Sequence, residues 1–171
     1  MHHSLSDHIN IRRLRSRDRP WALRVVENYF FGPRVVSRGQ LHDTRGLPGL
    51  VAEIGQERVG LLQYQVGGKE LEVIILVAMQ SRQGIGSGLL TSAWEIARNE
   101  GCCRLWLITT NDNLEAQKFY HAAGLDEVAV HRGALEQARE LKPEIPRIGM
   151  HGIPLEDEIE FEYRLNVANG E

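Results

Sequence analysis

A chain of 171 residues can bury one full core, and 42% apolar with 25% charged residues is ordinary for a water-soluble globular domain. The formal net charge of −3 argues against a general nucleic-acid binder, which wants a basic face. No apolar run approaches the roughly 18 residues of a membrane span, and MHHSLSDH at the amino terminus has neither the apolar stretch nor the cleavage signal of a secretory leader.

We therefore expect a single cytoplasmic domain over residues 1–171, monomeric or homodimeric, with 1–8 as a flexible end. The only cysteines, Cys102 and Cys103, are adjacent; they cannot staple distant segments, fit no metal spacing, and read as reduced residues entering a buried strand. His2, His3 and His8 would bind a metal only weakly from a mobile end.

Along the chain, Ile9, Ile11 and Leu14 alternate with polar residues and predict a first strand. Asp18, followed by Pro20, reads as the cap of a helix that carries Trp21, Val25, Asn28 and Tyr29 at helical spacing and stops at Gly32-Pro33. Val35 to Leu50 reads as a loop with at most a short strand or turn at Val35-Val36. Val51–Ile54 and Arg58–Val66 predict a hairpin, and Gly67-Gly68 turns the chain into Glu70–Met79. Three antiparallel strands thus precede a glycine-rich loop, Gly84, Gly86 and Gly88, and a helix starting near Leu89 and ending before Gly101. Leu105–Ile108 is wholly apolar and predicts a strand covered on both faces.

Asn113 is placed to cap a helix, Leu114 to Ala122, closed by Gly124. A strand follows at Val128–His131, then a short helix at Ala134–Leu141 and a proline-punctuated connection. In the last strand Ile159, Phe161, Tyr163 and Leu165 would face inward. Glu158, Glu160 and Glu162 would form a solvated face, with one carboxylate near a site as the alternative.

A strand that empties through glycines into a helix start aims free backbone N–H groups and a positive dipole end at one spot, which suits a phosphate. A nucleotide-binding P-loop fails, because Leu89 stands where a lysine is required. A dinucleotide fingerprint lacks its third glycine, again at Leu89, and follows antiparallel strands; Asp112 nonetheless lies about where a ribose-binding acid would fall. A purely structural glycine turn is the third possibility.

SRQGIGSGLL resembles the acetyl-CoA loop of the GNAT acetyltransferase superfamily, [RQ]-x-x-G-x-[GA], with Gly84 and Gly86 at the two small positions. Ser81 departs from the first position and is followed by Arg82. NLEAQKFYHAAG resembles the family's N-x-x-A-x-x-[LF]-Y-x-x-x-G segment through Asn113, Ala116, Tyr120 and Gly124. The TTNDN segment, Thr109 to Asn113, is similar to bacterial members without an assigned substrate.

The resemblance implies an α/β (α+β) fold: a mixed, mainly antiparallel sheet flanked by helices and splayed between its fourth and fifth strands. It implies acetyl transfer from acetyl-CoA, the cosubstrate, directly to a primary amine of a small molecule or protein. The cofactor site would comprise Arg82, Gln83, Gly84, Ile85, Gly86, Ser87 and Gly88, the backbone of Ile75, Leu76 and Val77, and Asn113, Ala116 and Tyr120. Tyr120 would protonate the leaving thiolate. Glu70 and Glu72, on one face of the fourth strand, are candidates for the base that deprotonates the amine, unless they are merely solvated; His42 and His131 are weaker ones. Residues 132–157 and Val35 to Leu50 would border the acceptor. An acyl-CoA-binding sensor or interaction module with no turnover is the alternative from another class.

Overall fold

Short turns between apolar strands build the first half of a sheet, and two helix crossovers complete it. The computed structural model describes residues 8–80 and 84–166; the expected flexible end therefore lies outside the described residues but for His8, as do Ser81, Arg82 and Gln83. The strands are β1 (Ile9–Arg13), β2 (Arg34–Ser37), β3 (Gln40–Asp43), β4 (Gly49–Ile54), β5 (Glu57–Gly67), β6 (Glu70–Ala78), β7 (Arg104–Thr110), β8 (Asp126–His131) and β9 (Glu158–Arg164). The helices are α1 (Arg19–Phe30), α2 (Ile85–Asn99), α3 (Leu114–Ala122) and α4 (Ala134–Leu141). Seven strands form one sheet in the order β1-β4-β5-β6-β7-β9-β8, while β2 and β3 pair as a separate hairpin. Only β6 and β7 run parallel, because α2 carries the chain back between them. The mixed, mainly antiparallel α/β sheet is the one expected.

The two sheet faces carry separate cores. On one, Ile85, Leu89, Leu90, Ala93 and Ala97 of α2 pack with Leu62, Leu71, Leu105, Leu107 and Phe161. On the other, Ala22, Val25 and Val26 of α1 pack on Leu61, Ile75 and Val77. Each of the valines, leucines, isoleucines and phenylalanines among them, once buried, contributes roughly 1.5–3 kcal/mol. The buried stripe of α1 runs through Ala22, Val25 and Val26, so Asn28 and Tyr29 point to solvent, contrary to the spacing first read. No helix among the described residues is long and apolar enough to cross a membrane.

Asp18 does not cap α1 through its side chain. It is fully buried and accepts from the Arg12 guanidinium at 2.7 and 2.9 Å, Arg15 N–H at 2.7 Å and Arg58 Nε at 3.0 Å. The Arg12 hydrogen bonds hold its carboxyl far below the usual range, so the residue works as a charged rivet between β1, β5 and the start of α1. Val35 to Leu50 is more ordered than expected, since it contains all of the β2–β3 hairpin but Arg34. The strand over Leu105–Ile108 is not covered equally on both faces: Leu105 and Leu107 are buried, while Trp106 and Ile108 are half-exposed on the opposite face.

Candidate functional site

α2 begins at Ile85, a full turn before the Leu89 start expected. Gly84 precedes it at φ 76°, a left-handed backbone that glycine adopts without a Cβ penalty. Gly88 N–H already bonds Gly84 C=O at 2.9 Å, so it is lost to a ligand, whereas the N–H groups of Ile85, Gly86 and Ser87 have no partner within the helix among the described residues. Two of the glycines also have steric reasons. A Cβ on Gly86 would meet Phe119 Cζ at 2.9 Å, and one on Gly88 would meet Ile11 Cδ1 at 2.8 Å.

β6 and β7 share four registered pairs, from Glu70↔Arg104 to Val73↔Leu107, and then part. The register of β5 against β6 shifts at the same place, Gln63↔Ile75 followed by Tyr64↔Val73, so Ile74 has no partner. This bulge bends β6 away from β7, as an inserted residue does. The β7-facing edge of β6 beyond Val73, which includes Ile75, Leu76 and Val77, is thereby left without a strand partner. Ile74, Ile75 and Val77 belong to the α1-side core, and Ile74 and Leu76 line the resulting cleft of about 270 Å³.

α3 closes one side of that cleft. Asn113 Oδ1 accepts from Ala116 N–H at 3.1 Å, so its side chain serves as the helix cap and orients Ala116 and Tyr120, both lining residues. Tyr120 packs on the Phe161 and Phe119 rings at 5.4 and 5.5 Å. Burial pushes its phenol well above the ordinary value, which keeps it protonated at neutral pH.

The acid run of β9 does not form a solvated face. Glu158 and Glu162 are buried and Glu160 is half-buried, under the β2–β3 hairpin and beside Arg104. Registry explains this: Arg104, Trp106, Ile108 and Thr110 of β7 lie opposite Arg164, Glu162, Glu160 and Glu158, and Glu70 and Glu72 lie opposite Arg104 and Trp106. Arg104 Nη1 donates to Glu160 and Glu162 at 2.9 Å each, and its Nε lies 3.1 Å from Glu70. With Arg104 so committed, Glu72 is left with Ser37 Oγ, at 2.5 Å, as its hydrogen-bond donor. Burial pushes the Glu72 carboxyl up to about 7; the Ser37 bond opposes that rise and the charge of Glu158 adds to it.

The two glutamates proposed from sequence therefore differ. Glu70 is a partly exposed partner of Arg104, while Glu72 is a half-buried carboxyl poised to gain or lose a proton at neutral pH. His42 is buried on β3, where burial lowers its pKa, and His131 Nε2 sits 3.0 Å from Glu160. Residues 132–157 do border the cleft, through Leu135, Lys142, Ile145, Met150 and Leu155. Asp112 ties this connection down: its carboxylate accepts from Met150 N–H at 2.9 Å and from Thr110 Oγ1 at 2.5 Å.

Ser37, Ile74 and Lys142 line the cleft with no signal in the sequence as site residues, and Glu158 lines it too, in keeping with the alternative of one β9 carboxylate near a site. Glu158 accepts from the Arg38 N–H at 3.3 Å and from its guanidinium at 3.2 Å.

Comparison with known proteins fits this geometry. Residues 10–125 match the model of the acetyltransferase (GNAT) family. The chain is 45% identical over 105 residues to the uncharacterized protein YdhI of Bacillus subtilis (strain 168), a match covering 61% of this chain and 66% of that relative, just under two thirds of its length. It superposes with TM-score 0.69 on the ribosomal-protein-S18-alanine N-acetyltransferase from Escherichia coli, at 20% identity over 96% of this chain and 97% of that one. A GNAT family acetyltransferase from Elizabethkingia anophelis with acetyl-CoA bound gives TM-score 0.68 at 18% identity, over 93% of this chain and 99% of that one. At such identities these structures speak for the fold alone. Through the family match over most of its length and the splayed sheet with its glycine-led helix, the chain belongs to the GNAT acetyltransferase family.

Proposed function

We propose that the protein transfers an acetyl group from acetyl-CoA directly to a primary amine, of a small molecule or a protein, in one sequential step. The observation that carries this reading is the cleft walled by Tyr120 and the parted strands, with Glu72, a half-buried carboxyl pushed up to about 7, hydrogen-bonded to the lining residue Ser37. The acetyl-CoA held by the Elizabethkingia anophelis relative supports the choice of cosubstrate. The start of α2 fits its phosphates: Ile85, Gly86 and Ser87 stand in the first turn, where N–H groups have no intrahelical partner. Arg82 and Gln83 are proposed to add to this cradle. Each charge-assisted hydrogen bond there would contribute roughly 1.5–3 kcal/mol.

Glu72 takes a proton from the acceptor ammonium, through water where its reach requires. Backbone N–H groups around Ile75, Leu76 and Val77 polarise the acetyl carbonyl, a contribution of about 3–4 kcal/mol for one well-aimed donor. The amine nitrogen forms its bond to the acetyl carbon as the carbon–sulfur bond breaks. Tyr120 gives its phenolic proton to the departing sulfur and recovers one from the new amide nitrogen. The products are an amide, a free thiol and one proton released by way of Glu72. Glu70 holds Arg104 in place rather than moving protons, in this scheme.

The test is thiol release with acetyl-CoA across an amine library, with mass spectrometry of the products. Tyr120→Phe should keep acetyl-CoA affinity while kcat falls about 100-fold. An unchanged kcat would remove the acid role. Tight acetyl-CoA binding without thiol release for any amine would replace the transferase by an acyl-CoA sensor.

A further inference from the structure

The walls and charges of the cleft narrow the acceptor. We infer that it is a small primary monoamine with an apolar or aromatic body and no carboxylate, a reading that rests on the transferase proposal above. Three segments supply the walls: Phe30 at the end of α1, Val36 on β2, and Leu135, Ile145 and Leu155 of the 132–157 connection. Leu135, Val36, Ile145 and Leu155 form one apolar cluster, so this wall is continuous. A charged or strongly polar body would lose its hydration there with nothing to replace it.

The charges point the same way. Lys142 is the only cationic side chain lining the cleft among the described residues. It is buried, and its ammonium donates to the carbonyls of Phe30 and Arg34, the latter at 2.5 Å. Burial also lowers its pKa. Two of its three ammonium donors are spent on those carbonyls, so Lys142 offers a substrate carboxylate at most one hydrogen bond and no bidentate clamp. The acids of the cleft are Asp112 and Glu158, with Glu72 behind Ser37. Asp112 is spent on Thr110 and Met150. Glu158 is ion-paired with Arg38 at 3.2 Å, yet its carboxylate still lines the cleft, where it can also accept from an ammonium drawn toward Glu72. Size agrees as well, since about 270 Å³ is at or below the small end of ligand sites, roughly 300–1,000 Å³, and part of it must take the acyl arm.

The experiment compares kcat/KM of the full chain, with acetyl-CoA, for 2-phenylethylamine, phenylalanine, putrescine, a tripeptide amide beginning with phenylalanine, and the alkylamine series from butyl to hexyl. We expect 2-phenylethylamine to exceed phenylalanine and putrescine by about tenfold or more, and each added methylene of the series to gain about fourfold. Glu158→Gln should raise KM for 2-phenylethylamine about tenfold without changing KM for acetyl-CoA. Should that variant fail to fold, Val36→Asn must lower kcat/KM for hexylamine more than for butylamine. Preference for phenylalanine, putrescine or the peptide, with turnover intact, would overturn the acceptor assignment and leave the transferase standing. Acetyl-CoA binding with no turnover of any amine would overturn both.

Discussion

Ser37→Ala separates a poised base from a buried carboxyl that merely happens to be there. Ser37 Oγ lies 2.5 Å from Glu72 Oε1 and stabilises the ionised form, against burial and the charge of Glu158. A hydrogen bond to a charged group contributes about 1.5–3 kcal/mol, and 1.36 kcal/mol is one pKa unit, so its loss should move the Glu72 pKa up by about 1 unit once partial access to water is allowed for. The starting value of about 7 then becomes about 8, and the ionised fraction at pH 7 falls from about one half to about one tenth. The assay is the pH profile of kcat/KM. Its acid limb should sit near 7 in the parent chain and about one unit higher in Ser37→Ala, with roughly a fivefold loss at pH 7 recovered by pH 9. The limb of the amine itself, near 10, should not move. An acid limb that stays put in Ser37→Ala, or survives in Glu72→Gln, would refute the reasoning.

Three further outcomes follow from the same contacts. Glu72 carries a folded pKa above its ordinary 4.5, so the folded state binds the extra proton between pH 4.5 and about 7 and loses stability as pH rises through that window; Glu72→Gln should therefore raise Tm at pH 8, by a few degrees for about 1 kcal/mol, and change it little at pH 4.5. Asp18→Asn removes the buried anion facing Arg12 and Arg58 and should cost about 3–5 kcal/mol in urea unfolding at pH 7. Because the Asp18 carboxyl is depressed, its contribution is present at neutral pH and fades only as pH falls below the ordinary carboxylate range, so the difference between the two proteins should shrink in acid. Gly86→Ala puts a Cβ 2.9 Å from Phe119 Cζ and should weaken acetyl-CoA binding measured by calorimetry, with a loss of stability of about 1 kcal/mol; unchanged affinity would remove Gly86 from the cofactor site.

Local rules carried much of the fold. Alternation and turn residues placed the β4–β5–β6 run, helical spacing with Asn113 and the closing glycines placed α3, and α4 fell on Ala134–Leu141 as read. The short-range signals failed where a long-range partner decided. Asp18 has the chemistry of a cap, but Arg12 and Arg58 claimed its carboxylate from other strands. Glu158, Glu160 and Glu162 have the pattern of a solvated face, yet the β2–β3 hairpin and Arg104 cover them.

The same division holds for the site. By itself the sequence determined the glycine-led helix, the Asn113–Tyr120 segment and the pair Glu70 and Glu72, because backbone conformation and motif spacing are local properties. Which glutamate titrates was a tertiary matter. Glu70 and Glu72 differ in neighbours more than 30 residues away, Arg104 for one and Ser37 for the other, and burial of Glu72 beside the charge of Glu158 turns that difference into a pKa near 7. The cleft itself was also tertiary: Ile74, Lys142 and Glu158 are brought to one place only when β6 bends off β7 and the 132–157 connection folds over the gap.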